Sequence, residues 1–308
     1  MLHMAFLVTL CSGVLAAVPR IEIAPGVLMP MINFGVQKNH SMAINLGGLG
    51  LDTAHVYGDE QQREVGQAVR KAVASGIPRS EIFVTTKIEC CPGVAFTGPK
   101  GKALCTLSPD PAKHIAHDFD VLGLDYVDLM LIHWPCDDLA SSIRTYKAIE
   151  PLVHSGRARA IGISNFNASG ILTLLKEVNI RPAINQCGFS VAGHTSERWG
   201  RSDETRRACE AHNITYSAYS PLGGWAKGGT SHVLNDPTVN AIAAAHKTTA
   251  AAVALRWVTQ QGIVAVTSSD KASHVAGDLA SFDFDLTDAE IHELAKVALF
   301  AGEDSATL

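Results

Sequence analysis

The sequence predicts an α/β fold, a (β/α)₈ TIM barrel with a short N-terminal hairpin. Three observations predict it. Eight short apolar runs alternate with helical patterns along the 308 residues. Most of the runs are too apolar to leave a wet face, as parallel strands covered by helices must be. No G-x-G-x-x-G follows the first run, which removes the main signal for an open dinucleotide-binding sheet.

The elements follow in order. The segment IEIAPGVLM, Ile21–Met29, turns at Pro25-Gly26 and reads as a small hairpin. Barrel strands are expected over Met29–Gly35, Leu49–Ala54, Ile82–Ile88, Tyr126–Trp134, Ala158–Asn165, Pro182–Cys187, Ile214–Ser220 and Ile263–Ser269. Between Gly35 and Asp52 there is room for a helix of only about two turns. After the second strand, Val65, Ala68, Val69, Ala72 and Val73 mark one helical stripe. Asp110 followed by Pro111 is an N-cap and first-turn pair. Thr287 with Glu290 makes a capping box for a terminal helix. No linker, low-complexity tract or solenoid repeat interrupts the pattern, so residues 19–308 read as one domain and the chain as a monomer.

Composition narrows the partners. The hydrophobic share of 47% supports a large core, and the formal net charge is −5. No Lys/Arg run could track a phosphate backbone, so nucleic acid is not expected. Met4–Val18 is mostly apolar and ends in Leu15-Ala16-Ala17. At about 1.5 Å per residue it is too short to span a bilayer, and residues 1–18 read as a cleaved signal peptide. The mature chain would then have no membrane span and would be secreted or lie in an endomembrane lumen; without cleavage it is cytoplasmic. Of seven cysteines, Cys90, Cys91 and Cys105 share one Gly/Pro-rich stretch. In a secreted chain Cys90 or Cys91 would bridge to Cys105, whereas a reducing compartment would leave free thiols. No C-x-x-C spacing occurs, so no metal is expected. Sequons stand at Asn39, Asn167 and Asn213.

Chemistry concentrates after three successive strands. Asp52 and Tyr57 lie in LDTAHVYGDE, Lys87 in FVTTKI and His133 in DLMLIHWP. In a barrel of this kind the loops after the strands carry function. A free phenol, with a pKa of about 10, is a poor proton donor at neutral pH. A neighbouring ammonium favours the phenolate and lowers that pKa, and Asp52 would keep Lys87 charged. The imidazole of His133 would orient a substrate oxygen. No side chain donates hydride, so a nicotinamide is the natural source.

The words D-T-A-x-x-Y-G-D-E, T-T-K and L-I-H-W-P resemble signatures of the aldo-keto reductases, and the resemblance covers nearly the whole chain after about residue 20. It implies NAD(P)H-dependent reduction of a small aldehyde or ketone, with Asp52, Tyr57, Lys87 and His133 as the catalytic tetrad. It also implies that Ser164 and Asn165 in GISNF, with Gln186 in INQ, bind the nicotinamide carboxamide. Tyr219 in SAYSPLG would stack on the ring, and Ser220, Leu222 and Gly223 would hold the pyrophosphate. Val36 and Trp134 would wall the substrate pocket.

The adenosine end departs from the family pattern. Kinship implies NADP(H). In VTSSDKASHVAGDL, however, Ser268 stands where a lysine is usual and His274 where an arginine is usual. Ser269 keeps a hydroxyl, and Asp278 replaces an amide. Two fixed charges for a 2′-phosphate are therefore missing, with Lys271 close enough in sequence to substitute, and NAD(H) or dual use becomes an expectation as well. From Glu89 to about Ser108 an insertion rich in Gly, Pro and Cys adjoins Lys87 as a candidate lid. Two other classes would leave different marks on the sequence. A redox-sensing or regulatory barrel with little turnover would show an assembly surface or a long N-terminal inactivation segment. A barrel hydrolase would need two facing carboxylates at strand ends.

Overall fold

The structure is a computed structural model that describes residues 18–35, 39–93, 98–193, 201–224 and 229–297. Residues 1–17, which carry most of the expected signal peptide, and Val36 lie outside the described residues.

The hairpin pairs β1 (Arg20–Ala24) with β2 (Val27–Pro30), antiparallel, with Gly26 at φ +73° in the turn. Eight parallel strands then close a barrel: β3 (Ile32–Gly35), β4 (Gly50–Asp52), β5 (Phe83–Ile88), β6 (Val127–Ile132), β7 (Ala158–Ser164), β8 (Ile184–Gly188), β9 (Thr215–Tyr219) and β10 (Val264–Thr267). β10 pairs with β3 to complete the ring. The expected TIM barrel is present.

Strand boundaries differ from the sequence reading in two ways. Met29–Gly35 is not one strand: Met29 and Pro30 close the hairpin, and the barrel begins at Ile32. Pro30 has no N–H to give to a ladder, so the chain leaves one sheet there and enters the other. Five of the eight expected strands also run too far at their C-terminal ends. His133, Trp134, Asn165, Ser220, Ser268 and Ser269 lie past the ladder, in the rim.

Inside the barrel Phe83, Leu129, Leu131, Ala160, Ile184 and Val264 pack with Ile23, Val27 and Met29 of the hairpin, which plugs the N-terminal end. That end is also pinned electrostatically. Buried Asp128 accepts from Arg79 at 2.9 Å, Arg159 at 3.0 Å and the Val84 amide at 2.9 Å, and Arg159 also donates to the Gly26 carbonyl.

The caps read from sequence are formed. Asp110 accepts from the Ala112 amide ahead of helix Pro111–Leu122, and Thr287 and Glu290 close a capping box on Asp288–Leu294. On helix Asp59–Ala74, Val65, Ala68, Val69 and Ala72 are buried, while Val73, in the last turn, stays largely in solvent. A short helix, His40–Asn45, fills the gap between Gly35 and Asp52.

Helix Pro111–Leu122 brings a buried carboxyl against β5. Asp118 accepts from Gln62 and, at 3.0 Å, from the Thr86 hydroxyl, while its Oδ2 and the Gln62 Oε1 have no partner among the described residues. Burial pushes the Asp118 carboxyl up to about 7, against the opposing hydrogen bonds. The native chain thus binds this proton more tightly than the unfolded chain does. The associated stability is fully present below the unfolded pKa of about 4 and is lost as pH rises through about 7. Asp118→Asn should therefore raise the unfolding free energy at pH 8 by on the order of 1–3 kcal/mol, with the gain vanishing near pH 4. Denaturant titrations at the two pH values measure this; an equal effect at both would show that ionisation is not the cause.

Two disulfides join the segment after β5 to its surroundings. Cys91 bonds Cys105, one of the two pairings expected, on helix Gly98–Leu107. Cys90 bonds Cys136, a partner distant in sequence that is brought close because β5 and β6 pair up to Ile88 and Ile132. Cys187 and Cys209 are free and buried.

Candidate active site

Strand parity builds the site. Successive side chains of a strand face opposite ways, so Phe83, Thr85 and Lys87 share the inward face of β5. On β6 the inward series Leu129, Leu131 continues to His133, on β7 Ala160, Gly162 to Ser164, and on β8 Ile184 to Gln186. Apart from Thr85 on β5, these series are apolar in the barrel interior, and all four turn polar at the rim. Gly162 is required within its series: a Cβ there would come within 2.8 Å of the Ile184 carbonyl and the Leu131 side chain. Tyr57 comes from the single turn His55–Tyr57 that follows β4.

The tetrad residues meet. The buried Lys87 ammonium is ion-paired with Asp52 and donates to the Thr53 carbonyl at 3.0 Å. It lies 5.2 Å from the centroid of the Tyr57 ring. Burial alone would pull the Lys87 ammonium down, but Asp52 and then Tyr57, by charge and hydrogen bonding, carry it above its ordinary value. The His133 ring stands edge-on to Tyr57, centroids 5.6 Å apart, and is stacked with Trp134 at 6.2 Å.

Tyr57 corrects the sequence reading in one respect. Burial pushes its phenol above the ordinary value, and the charge and hydrogen bond of Lys87 only oppose that shift. The ammonium does favour the phenolate, but desolvation is the larger effect.

A cavity of about 610 Å³ opens over these groups. Asp52, Tyr57, His133 and Trp134 line it on one side, and Ser164, Asn165, Gln186 and Tyr219 on another. Gln186 donates to the second Asp52 oxygen at 3.0 Å, and Ser164 donates to the Gln186 carbonyl at 2.7 Å. Asn165, at φ +66°, donates to the His133 carbonyl at 3.0 Å and accepts from the Tyr219 hydroxyl at 2.9 Å. Gly223, at φ +80°, donates to the Ser220 carbonyl and closes a tight turn, and Ser220 and Leu222 line the same cavity.

The adenosine-end positions are only partly gathered. Ser268 lines the cavity, but Ser269, His274 and Asp278 do not. Ser269 accepts from the Lys271 amide, and His274 is exposed on helix Ala272–Leu279. Asp278 is buried against the Thr267 hydroxyl, and burial pushes its carboxyl up to about 7.

Sequence reading missed several residues here, among them two cavity-lining side chains and one buried carboxylate. Val56 and Thr230 line the cavity. Buried Glu89 sets Oε1 3.3 Å from Nδ1 of His133. The signal for Glu89 was available, since it continues the inward parity Phe83, Thr85, Lys87 by one step.

The donor set fits a nicotinamide. Two carboxamides and a hydroxyl suit an amide, and the Tyr219 ring offers a flat face, so close that a Cβ on Gly188 would lie 3.3 Å from it.

Residues 36–299 match the model of the Aldo/keto reductase family. The chain is 34% identical over 294 residues to an aldo-keto reductase of Mycolicibacterium smegmatis, covering 93% of each chain. It is 34% identical to the morphine 6-dehydrogenase of Pseudomonas putida, covering 90% of each. Among solved structures it resembles a Bombyx mori aldo-keto reductase in complex with NADP, with TM-score 0.77 and 26% identity, covering 92% of this chain and 94% of that one.

Proposed function

The chain belongs to the aldo/keto reductase family and is an NAD(P)H-dependent oxidoreductase; from that premise we propose that it reduces an aldehyde or ketone to an alcohol with Tyr57 as the proton donor. The observation that carries this reading is the Lys87 ammonium, held by Asp52 beside the Tyr57 ring and under the cavity that His133 flanks.

When bound against Tyr219, Ser164, Asn165 and Gln186, the reduced nicotinamide supplies hydride for the carbonyl carbon. The remaining work falls to the protein's own groups. Burial keeps the Tyr57 phenol protonated, so it has a proton to give. As that proton moves to the substrate oxygen, the phenolate left behind is stabilised by Lys87, whose own charge Asp52 maintains. His133 hydrogen-bonds the same oxygen and fixes the carbonyl's approach, while Trp134 and Val56 offer it apolar walls. Following loss of NADPH or NADH absorbance with a panel of small aldehydes, ketones and sugars tests the reading. Reduction of none of them, with cofactor binding intact, would count against it.

For the cofactor, kinship and the NADP-bound silkworm structure favour NADP(H), but Ser268 and exposed His274 take two fixed charges from the 2′-phosphate, leaving exposed Lys271 as the nearby substitute. Ser268→Lys should lower the KM for NADPH about tenfold, the scale of one hydrogen bond to a charged group, and leave that for NADH unmoved. Equal shifts for both cofactors would remove the electrostatic explanation.

An oxidising compartment is favoured by two buried or half-buried disulfides and by the exposure of Asn39, Asn167 and Asn213. Among the described residues no helix is long and apolar enough to cross a membrane.

A further inference from the structure

Glu89 is the group next to the tetrad that the mechanism leaves unused. It is buried, its Oε1 faces Nδ1 of His133 at 3.3 Å, and its Oε2 has no hydrogen-bond partner among the described residues. A carboxylate so placed is costly unless a positive charge or a proton compensates it, and the group it faces is the imidazole. This constrains the ring. If the only ring proton sits on Nδ1, pointing at Glu89, then Nε2 is bare and can only accept. A carbonyl oxygen is also an acceptor, so His133 could not hold it.

We propose that Glu89 is a positioning residue: it holds a proton jointly with Nδ1 of His133, so that Nε2 keeps its own hydrogen and offers it to the substrate oxygen. This rests on the carbonyl-reductase reading above. The pair carries two protons, one on Nε2 and one between Nδ1 and Oε1. Whether the shared proton sits on the ring or on the carboxyl, Nε2 remains a donor. Neither proton is consumed, because the one that ends on the alcohol comes from Tyr57. The position is also held mechanically. Asn165 donates to the His133 carbonyl, and the Cys90–Cys136 disulfide joins the residue after Glu89 to the loop that follows His133.

The test reads the ring in cofactor-free protein. Long-range proton–nitrogen spectra of histidine-labelled protein near neutral pH report which ring nitrogens are protonated, with the His133 signal identified by its loss in His133→Asn. Wild type should show a protonated Nε2. Glu89→Gln should keep it, because the carboxamide N–H can donate to Nδ1. Glu89→Leu should release the ring, giving averaged shifts for the two nitrogens. In turnover, Glu89→Leu should lower kcat about 10²-fold, the lower end of what a placed proton-handling group contributes, with cofactor KM within about twofold. Glu89→Gln should recover most of that loss.

A bare Nε2 in wild type overturns the proposal, as does wild-type kcat with a wild-type ring spectrum in Glu89→Leu. Should Glu89→Leu fail to fold, the wild-type and Glu89→Gln spectra still decide. Because those spectra need no substrate, the two readings fail separately. A protein inert toward every carbonyl loses the reductase reading, whereas an active reductase with a bare Nε2 loses only the role of Glu89.

Discussion

Tyr57→Phe should lower kcat for carbonyl reduction by about 10²–10⁴-fold while leaving the Kd for cofactor within about twofold. The substitution removes one oxygen and keeps the ring, so the edge contact with His133 and the 5.2 Å approach of Lys87 to the ring can persist. What is lost is the proton. Lys87 does not replace it well, because it is committed to Asp52 and the Thr53 carbonyl. Tyr57 makes none of the contacts that join Gln186, Ser164, Asn165 and Tyr219, so the proposed cofactor wall should survive. Stopped-flow turnover and a fluorescence titration of cofactor separate the two effects. Activity within tenfold of wild type would rule Tyr57 out as the donor. A parallel loss of cofactor affinity would mean the residue supports the wall instead.

Most of this site could be read before the fold was known because its chemistry is tied to strand parity. His133, Ser164 and Gln186 each end an inward-facing series that is apolar below, Lys87 follows Phe83 and Thr85 on the inward face of β5, and a period of two is legible in sequence. Glu89 obeys the same period but was passed over, since it opens a stretch whose Gly, Pro and Cys content reads as loop. Strand ends were overrun for a different reason: a parallel ladder stops where its neighbours diverge, and side-chain apolarity does not report that divergence. The separation of β2 from β3 turned on the missing N–H of Pro30, a backbone property hidden inside an apolar run. Cys136 shows the remaining limit. Its sulfur finds Cys90 across 46 residues because two strands happen to be adjacent, and spacing alone could not choose it over Cys105.

Replacing both Cys90 and Cys136 by Ala should lower the unfolding free energy by about 2–4 kcal/mol and weaken catalysis beyond what that loss explains. The stability term follows from the closed loop. A bond spanning 46 residues removes many open conformations from the unfolded chain, more than the 14-residue bond of Cys91 with Cys105 does. Cys91→Ala with Cys105→Ala should therefore cost less, and because that bond ends on helix Gly98–Leu107 rather than in the loop after His133 it should leave kcat nearly unmoved. The catalytic term follows from position. Cys90 adjoins Glu89, and Cys136 lies in the loop after His133, so the bond fixes the spacing of the two groups proposed to share a proton. With the bond gone, that spacing rests on the rim backbone, chiefly the His133 amide bonded to the Ile88 carbonyl. Denaturant melts of the two double variants, paired with kcat measured well below their midpoints, keep stability and chemistry apart. If the Cys90/Cys136 variant were destabilised yet turned over at the wild-type rate, the disulfide would be a staple for the fold alone. If the Cys91/Cys105 variant lost kcat as severely, the effect would belong to the whole loop rather than to the link between Glu89 and His133.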